Sequence, residues 1–376
     1  MSENRETSRR GRRISASMEP TLDFEACWRA VVARDARFDG RFFTGVTSTG
    51  IYCRPVCPAR TPRRENVTFH PGAAAAEAAG FRACLRCRPE TAPDMGAWRG
   101  TSNTVSRALA LIEGGALDGA DVDALATRLG VGERHLRRLF RQHLGAAPVS
   151  VAQTRRVLLA KQLIHESRLS MAEVALASGF GSVRRFNEAF QALYDRPPSA
   201  LRRRRAPEAT GPIRLGLAYR PPYDWEAMLT ALAARGDAVA DGGWRRELQP
   251  DIDGTDGRVE VRAGEVGRLM VEAQVGTLSA LPGVLARVRR VFDLAADPEA
   301  IARDLSADPA LAAAVAAHPG LRLPGDWIDE ADDPPSDRLS SENPVLSARA
   351  ERWRPWRSYG ALYWTLSKEA RDAQAT

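Results

Sequence analysis

Hydrophobic and polar positions change their periodicity along the chain, and each change predicts a different kind of segment. Before residue 100, short alternating runs at 41–46 and 50–52 predict strands, with helices at 23–35 and 77–81 beside them. From 103 to 205 the pattern is helical throughout, with short turns between the helices. This order predicts a small α+β unit followed by an all-α unit.

The pattern changes again after residue 206. Alternating strands return at 213–217, 257–261 and 269–273, with helices at 224–235 and 282–292, which predicts a second α+β unit. The final segment is helical in pattern and rich in alanine and acidic residues, so we expect a residual helical segment there, whereas the polar N-terminus predicts a disordered arm. The predicted fold is therefore a multidomain α+β chain. Its expected segments are 1–20, 21–100, 101–207, 208–292 and 293–376.

Two stretches of the helical unit repeat the same order of short helix, glycine turn and polar helix. In the first copy, residues 121–131 precede a helix at 133–143. In the second, residues 170–180 precede a helix at 182–194, and a long helix at 148–165 connects the copies. This order is typical of a tandem helix–turn–helix, whose second helices enter successive major grooves of double-stranded DNA.

Basic side chains on these second helices are the candidate DNA contacts. Residues 101–205 hold 17 Lys and Arg against 9 Asp and Glu, an excess of 8 that covers the net charge of +7 of the whole chain. A helical bundle with merely solvated arginines is the alternative, and the tandem repeat disfavours it. The candidate DNA-binding residues here are Arg134, Arg137, Arg138, Arg184, Arg185 and Asn187.

Four of the five cysteines form two close pairs, Cys53 with Cys57 and Cys84 with Cys87. Two such pairs that converge in space offer four thiolates in the tetrahedral geometry of one Zn²⁺. A disulfide framework is the alternative, but it would leave Cys27 unpaired, and no secretory leader is recognisable. We therefore expect one Zn²⁺ per chain, with Cys27 as a small core residue.

Other sequence features limit the possible locations. No apolar run approaches the ~20 residues that a membrane span needs. The basic run at 9–13 is followed by no apolar segment, so it does not predict a targeting peptide. We expect a cytoplasmic, nucleoid-associated monomer without a membrane partner.

Three stretches around the cysteines, at 45–60, 64–69 and 79–87, resemble the zinc domain of the Ada family of methylphosphotriester repair proteins. The resemblance covers residues 21–100 and implies that Cys53 accepts a methyl group irreversibly from DNA. It also implies that the DNA backbone is contacted by Thr49, Arg60 and Arg82. At Leu85 the chain departs from a position where a basic residue can occur in the family.

The charge of such a site supports this chemistry. Four thiolates on one Zn²⁺ carry a formal charge of −2 and repel DNA phosphate, whereas a methylated phosphotriester is neutral and can approach. Methyl transfer turns one thiolate into a thioether and reduces the formal charge of the site to −1. The repair reaction would therefore increase the affinity of the protein for DNA. The alternative is a plain transcription factor whose zinc only stabilises the fold.

Two further resemblances follow along the chain. Residues 103–205 are similar to the paired helix–turn–helix of AraC-type regulators, which implies transcription activation with RNA polymerase as a partner. Residues 211–290, with the motif at 219–225, resemble the N-terminal domain of AlkA-type 3-methyladenine glycosylases. The chain thus resembles an Ada–AlkA fusion that lacks an alkylguanine methyltransferase domain.

The catalytic part of the glycosylase is largely absent from the sequence. No Leu-Pro-Gly-x-Gly hairpin follows Gly325, although Asp337 matches the family's catalytic aspartate. Between Asp326 and Asp337 there are six acidic residues and no basic one, so we expect Asp337 to be a solvated acid. An active DNA-3-methyladenine glycosylase with Asp337 as its catalytic residue remains the alternative function.

Overall fold

The computed structural model describes residues 22–93, 103–202, 211–328 and 349–374. The chain has mixed helices and sheets, as predicted. The arm predicted at 1–20 and the candidate catalytic Asp337 lie outside the described residues. Within them, no helix is both long enough and apolar enough to cross a membrane.

The N-terminal unit is a four-stranded sheet with a helix on each face. Asp23 begins the first helix by accepting a hydrogen bond from Ala26 N–H at 2.9 Å. The strand order is β3-β1-β2-β4, with β2 and β4 parallel and the other pairs antiparallel. Its elements are α1 (Phe24–Ala33), β1 (Phe43–Val46), β2 (Ile51–Cys53), β3 (Val67–His70), α2 (Ala73–Ala78) and β4 (Arg82–Ala83).

The middle unit is helical throughout. Ser170 forms a capping box with Glu173, which fixes the start of the helix Met171–Ala177. The helices are α3 (Asn103–Glu113), α4 (Val122–Arg128), α5 (Glu133–Leu144), α6 (Pro148–Glu166), α7 (Met171–Ala177) and α8 (Val183–Tyr194). Helices α3 to α5 enclose a core of their own around Leu125, Leu136 and Phe140.

A five-stranded antiparallel sheet of order β5-β9-β8-β7-β6 follows. Strands β6 and β7 were not predicted, because the charged run Arg245, Arg246 and Glu247 hides the alternation of Trp244 and Leu248. The elements are β5 (Ile213–Ala218), α9 (Trp225–Ala234), β6 (Ala238–Ala240), β7 (Gly243–Leu248), α10 (Pro250–Asp253), β8 (Gly257–Ala263), β9 (Arg268–Val275) and α11 (Leu281–Val291).

The last helices are α12 (Pro298–Leu305), α13 (Pro309–Ala317) and α14 (Arg357–Gln374). The sequence predicted only a residual helical segment here, whereas the described residues have a buried core of their own. Trp353, Trp356 and Tyr359 are at most 3% exposed and pack with Ile301 and Leu311. The aromatic cluster closes this segment because its large rings cover the alanine-rich faces of α12 and α13.

One continuous hydrophobic core connects the first sheet, the second half of the helical unit and the second sheet. It contains Phe43 and Tyr52 from the first sheet, Phe186 and Phe190 from α8, and Trp244 from β7. The three segments therefore pack on one another instead of following one another as separate bodies.

Helix α6 lies where these segments meet. Lys161 of α6 is fully buried, and its Nζ donates to Glu90 Oε2 at 2.8 Å, with the Glu90 side chain 1% exposed. On the other side, Gln162 donates to the carbonyl of Gly216 at 2.8 Å, and Glu166 pairs with Arg268 at 3.2 Å. A helix predicted as a link between two DNA-binding units thus also holds both sheets.

Candidate metal centre and nucleic-acid interface

The four paired cysteines meet at one end of the first sheet, with their sulfur atoms all within 4.8 Å of one another. Cys53 is the last residue of β2, and Cys84 directly follows β4. Because β2 and β4 run parallel as neighbours, their carboxyl ends bring these two cysteines together. Cys57 and Cys87 lie in the turns that follow.

The cluster has the donor set and the size that Zn²⁺ requires. Zinc–thiolate bonds of about 2.3 Å in a tetrahedron place the sulfurs roughly 3.8 Å apart. Hydrogen bonding with Cys53 lowers the pKa of Cys84, while hydrogen bonding with Cys57 raises the pKa of Cys53. The Cys84 thiol therefore ionises readily, whereas ionisation of Cys53 is opposed because neighbouring thiolates repel each other. A divalent cation stabilises all four in the ionised form.

The ionisation of Cys84 depends on all three of the other cysteines. Its pKa lies well below that of a free thiol, because Cys53 first, and then Cys57 and Cys87, donate hydrogen bonds that favour its thiolate. Because all four sulfurs lie within 4.8 Å of one another, they can act together as the ligands of one cation. The donor set therefore fits Zn²⁺, which is held by sulfur ligands in closed tetrahedral sites.

Backbone N–H groups distinguish the four sulfurs. The N–H of Arg54 donates to Cys87 Sγ at 3.4 Å, and the N–H of Arg86 donates to Cys84 Sγ at 3.3 Å. Within the described ranges, no backbone N–H donates to the sulfur of Cys53. A hydrogen bond to sulfur withdraws electron density, so Cys53 keeps more of its nucleophilicity than Cys84 or Cys87.

Cys57 resembles the two hydrogen-bonded cysteines more than it resembles Cys53. Its pKa is lowered, first by hydrogen bonding with Cys53 and to a smaller extent by the backbone N–H of Ala59. The nucleophile that the sequence predicted is therefore the member of the cluster with the fewest competing donors.

Arg54 connects the two cysteine pairs. Its Nε donates to Asp39 Oδ1 at 2.8 Å and its Nη2 pairs with the other carboxylate oxygen. Its Nη1 donates to the carbonyl of Cys87 at 3.2 Å and to Thr91 Oγ1 at 2.7 Å. Burial opposes the charge, but the hydrogen bonds that Arg54 donates to Asp39 raise the pKa of Arg54 above its usual value. The guanidinium stays charged and holds the turn after Cys53 against Cys87.

Sequence reasoning missed Asp39, which is 5% exposed. Nothing near Asp39 in the sequence distinguishes it from other turn-forming aspartates. The position of Arg54 directly after Cys53 was a signal that the arginine belongs to the site, but only the folded chain shows its partner.

The predicted DNA-backbone contacts of this unit differ in exposure. Thr49 is exposed in the turn between β1 and β2, where its Oγ1 donates to the carbonyl of Val46 at 3.3 Å. Arg60 is exposed after the first cysteine pair, and Arg82 is half-buried in β4. Leu85 is 37% exposed in the turn between the second pair of cysteines.

Cys27 lies away from this cluster, in α1. It is 4% exposed and packs with Ala30, Val31 and Phe42. Burial, and to a smaller extent Asp23, raises the pKa of Cys27 to about 11. The thiol therefore stays protonated at neutral pH, in agreement with a core residue.

The first predicted recognition helix is α5. Leu136, Phe140 and Leu144 recur every four positions and are buried, which directs the intervening positions to solvent. Arg134 and Arg138 are exposed. Arg137, with its side chain 40% exposed, pairs with Glu133 one turn earlier at 2.5 Å.

The second predicted recognition helix, α8, repeats this design. Ser182 begins it by accepting a hydrogen bond from the N–H of Arg185 at 3.2 Å. Phe186, Phe190 and Tyr194 form the buried face. The predicted contacts lie on the opposite face, where Arg184, Arg185 and Asn187 are all exposed.

Comparison with known proteins gives three matched family models. The metal binding domain of Ada matches residues 26–90, a helix-turn-helix domain matches 125–204, and the AlkA N-terminal domain matches 214–328.

Curated relatives contain the same units. The "Bifunctional transcriptional activator/DNA repair enzyme Ada" of Escherichia coli is 37% identical over 153 residues, 41% of this chain and 42% of that protein. The "Bifunctional transcriptional activator/DNA repair enzyme AdaA" of Bacillus subtilis is 30% identical over 200 residues, 53% of this chain and 90% of that protein. The chain belongs to the Ada family.

A further Ada-family relative also carries the AlkA name. The "Probable bifunctional transcriptional activator/DNA repair enzyme AlkA" of Mycobacterium tuberculosis is 41% identical over 322 residues, which is 82% of this chain. The chain spans 64% of the length of that relative. The resemblance to Ada-type and AlkA-type proteins is thereby confirmed.

The metal of the Ada-family site follows from two findings. The matched domain is described as the metal binding domain of Ada, and its range includes all four clustered cysteines. Together they support Zn²⁺ as the cofactor, as the cysteine spacing predicted.

Proposed function

We propose that this Ada-family chain repairs methylphosphotriesters in DNA by moving the methyl group irreversibly to Cys53, and that it activates transcription in response to alkylation. The proposal rests on the surroundings of the Cys53 sulfur. It lies within the four-cysteine cluster, yet it accepts no backbone N–H from the described residues.

Bound Zn²⁺ supplies positive charge that keeps the four sulfurs ionised at neutral pH. Cys53 Sγ attacks the methyl carbon of the phosphotriester. A sulfur–carbon bond forms while the carbon–oxygen bond breaks, and the electron pair of that bond stays on the phosphate oxygen. The DNA regains an ordinary phosphodiester, and Cys53 becomes a thioether. Because a thioether does not return the methyl group under these conditions, each chain reacts once.

Methyl transfer also removes one negative charge from the surface that faces DNA. Thr49, Arg60 and Arg82 would then contact backbone phosphates close to a less repulsive cluster. The gain in affinity would convert repair into a signal for transcription, with RNA polymerase as the expected partner at the promoter.

Helices α5 and α8 are proposed to read the promoter. Each has a buried apolar face and an exposed face that carries arginine, which suits insertion into the major groove. We assign base-edge contacts to Arg185 and Asn187, and contacts to either bases or phosphates to the remaining predicted residues. These remaining residues are Arg134, Arg137, Arg138 and Arg184.

We also propose the domain layout that the sequence predicts. The zinc unit would occupy 21–100, the paired helix–turn–helix 101–207, the glycosylase-type N-terminal domain 208–292, and a helical remnant 293–376. The matched family ranges support this order, and the shared core makes the units one assembly.

Mass spectrometry of the cysteines tests the proposed function. The chain is incubated with DNA that carries one methylphosphotriester, digested, and searched for an added methyl group. We expect one methyl group, on Cys53, and none after Cys53→Ser. Cys27→Ser is the matched control and should accept the methyl group at Cys53 as the parent chain does. Methylation of another cysteine would refute the assignment, and absence of any methylation would favour a zinc that only stabilises the fold.

A further inference from the structure

Residues 39–41 of the zinc unit make several close contacts with the glycosylase-type half of the chain. Three consecutive residues of this segment are each fixed by a different interaction, and one of them is Asp39, the partner of Arg54. Through this segment the second half of the molecule can influence the metal centre.

The first interaction comes from Arg220, in the motif that follows β5. Its Nη2 donates to the main-chain carbonyl of Asp39 at 3.1 Å, and Arg220 is 5% exposed. Arg220 is itself fixed, because Arg322 Nη2 donates to its carbonyl at 2.5 Å. Two buried guanidinium groups thus hold the backbone from which the Asp39 carboxylate projects.

The second interaction is an ion pair between Arg41 and Asp297. The Asp297 side chain is 1% exposed, and it also begins α12 by accepting a hydrogen bond from the N–H of Ala300 at 3.1 Å. Removal of Arg41 would leave this carboxylate buried without its counter-ion, so the pair resists separation.

Gly40, between these residues, shows how close the approach is. It adopts a φ of +76°, and a Cβ built on it would lie 2.2 Å from the carbonyl oxygen of Pro93 and 3.3 Å from Arg220 Nη2. Only glycine fits both the backbone conformation and the space. Residues 39, 40 and 41 are therefore all closely packed against their neighbours.

We propose that the glycosylase-type half supports the metal centre, with Arg220 and Asp297 as positioning residues for the chemistry at Cys53. Arg220 and Asp297 hold residues 39–41, Asp39 orients the Arg54 guanidinium, and Arg54 holds the turn after Cys53 against Cys87. Outer residues that orient the ligands of a metal alter its affinity and reactivity without touching it. The inference deepens the proposed function and rests on it for the role of Cys53.

The rate of zinc release to a chelator tests this support independently of methyl transfer. Full-length Arg220→Met should lose zinc on the order of 10-fold faster than the parent chain. Asp297→Asn should change the rate in the same direction, since its amide oxygen can still begin α12 while the charge that holds Arg41 is gone. The matched control is Arg287→Met, which removes a partly buried arginine that pairs with Asp253 within the glycosylase-type half, and it should release zinc at the parental rate.

Methyl transfer by the same variants provides the second measurement. At saturating DNA the maximal rate of Arg220→Met should fall on the order of 10-fold, while the DNA concentration for half-maximal rate stays within about twofold. Parental zinc release by both Arg220→Met and Asp297→Asn would overturn the inference, and Asp297→Asn decides it if Arg220→Met fails to fold. Faster zinc release in a chain that transfers no methyl at all would refute the proposed function and leave the support of the metal centre standing.

Discussion

The zinc unit, residues 22–93, and the C-terminal half, residues 211–328 and 349–374, both carry sequence motifs of repair enzymes, but the motifs act differently in the fold. In the zinc unit the motif cysteines converge within 4.8 Å and form a site. In the C-terminal half the motif residues pack: Trp225 stacks on Phe292 with ring centroids 5.5 Å apart, and the Tyr223 hydroxyl donates to the carbonyl of Phe292 at 2.8 Å. A motif therefore indicates the family, whereas convergence of reactive side chains indicates chemistry.

The largest expected effect tests how firmly the two regions are joined through α6. Glu90→Gln leaves the fully buried Lys161 without a carboxylate, and we expect unfolding free energy to fall by about 3–5 kcal/mol. Chemical denaturation measures the loss. The double variant Glu90→Gln with Lys161→Met should recover most of it, because no buried charge remains. If Glu90→Gln alone were as stable as the parent chain, the ion pair between Lys161 and Glu90 would not stabilise the fold.

A second prediction concerns a buried carboxyl in the C-terminal half. Burial, opposed by Arg322, raises the pKa of Asp293 from 3.8 to about 6. The folded state then favours the protonated acid, so this contribution to stability is complete below pH 4 and is lost as pH rises through 6. The shift corresponds to about 3 kcal/mol. Relative to Asp293→Asn, the parent chain should gain stability between pH 7 and pH 4, as measured by denaturation at each pH. Parallel pH profiles would contradict the assignment.

DNA readout should depend on the helical unit and not on the C-terminal half. Arg185→Ala should cost about 1–3 kcal/mol at the preferred sequence and weaken discrimination between sequences. Arg214→Ala is the matched control, since Arg214 is exposed on β5 and pairs with Glu272 at 2.8 Å. Binding titrations on promoter and scrambled DNA measure both. Equal weakening on every sequence would make Arg185 a backbone contact.

Methylation of Cys53 should strengthen promoter binding by a smaller amount. Removal of one charge near phosphate is worth about 1 kcal/mol in water, or roughly fivefold in affinity, and the gain should shrink as salt is raised. Titration of methylated and unmethylated chains at two salt concentrations measures the difference. Identical affinities at low salt would refute the electrostatic switch.

The last prediction is that Asp337→Asn has no effect on base release. We expect no release of 3-methyladenine from methylated DNA, because no Leu-Pro-Gly-x-Gly hairpin that could hold the DNA backbone follows Gly325 in the sequence. Asp337→Asn should therefore leave the background unchanged in a base-release assay. Release by the parent chain that disappears in Asp337→Asn would restore the glycosylase and remove the contrast between the two regions.

Local signals in the sequence were enough to predict helices α5 and α8 and the clustering of the four cysteines. Leu136 and Phe140 in α5, like Phe186 and Phe190 in α8, repeat every four positions, so the buried face follows from the spacing alone. Strand β7 escaped prediction because Arg246 breaks its alternation, and the reason is tertiary: its guanidinium lies 5.0 Å from the Trp327 ring.

The sequence by itself determined the four clustered cysteines, the helix–turn–helix domain and the family, because each depends on residues close together in the chain or on a motif. Only the tertiary structure decided which charged residues far apart in the chain pair with one another. Arg41 and Asp297 are 256 positions apart, and Lys161 and Glu90 are 71 apart. No local pattern marks such pairs, since burial and a counter-ion come from chain segments that meet only in the folded protein.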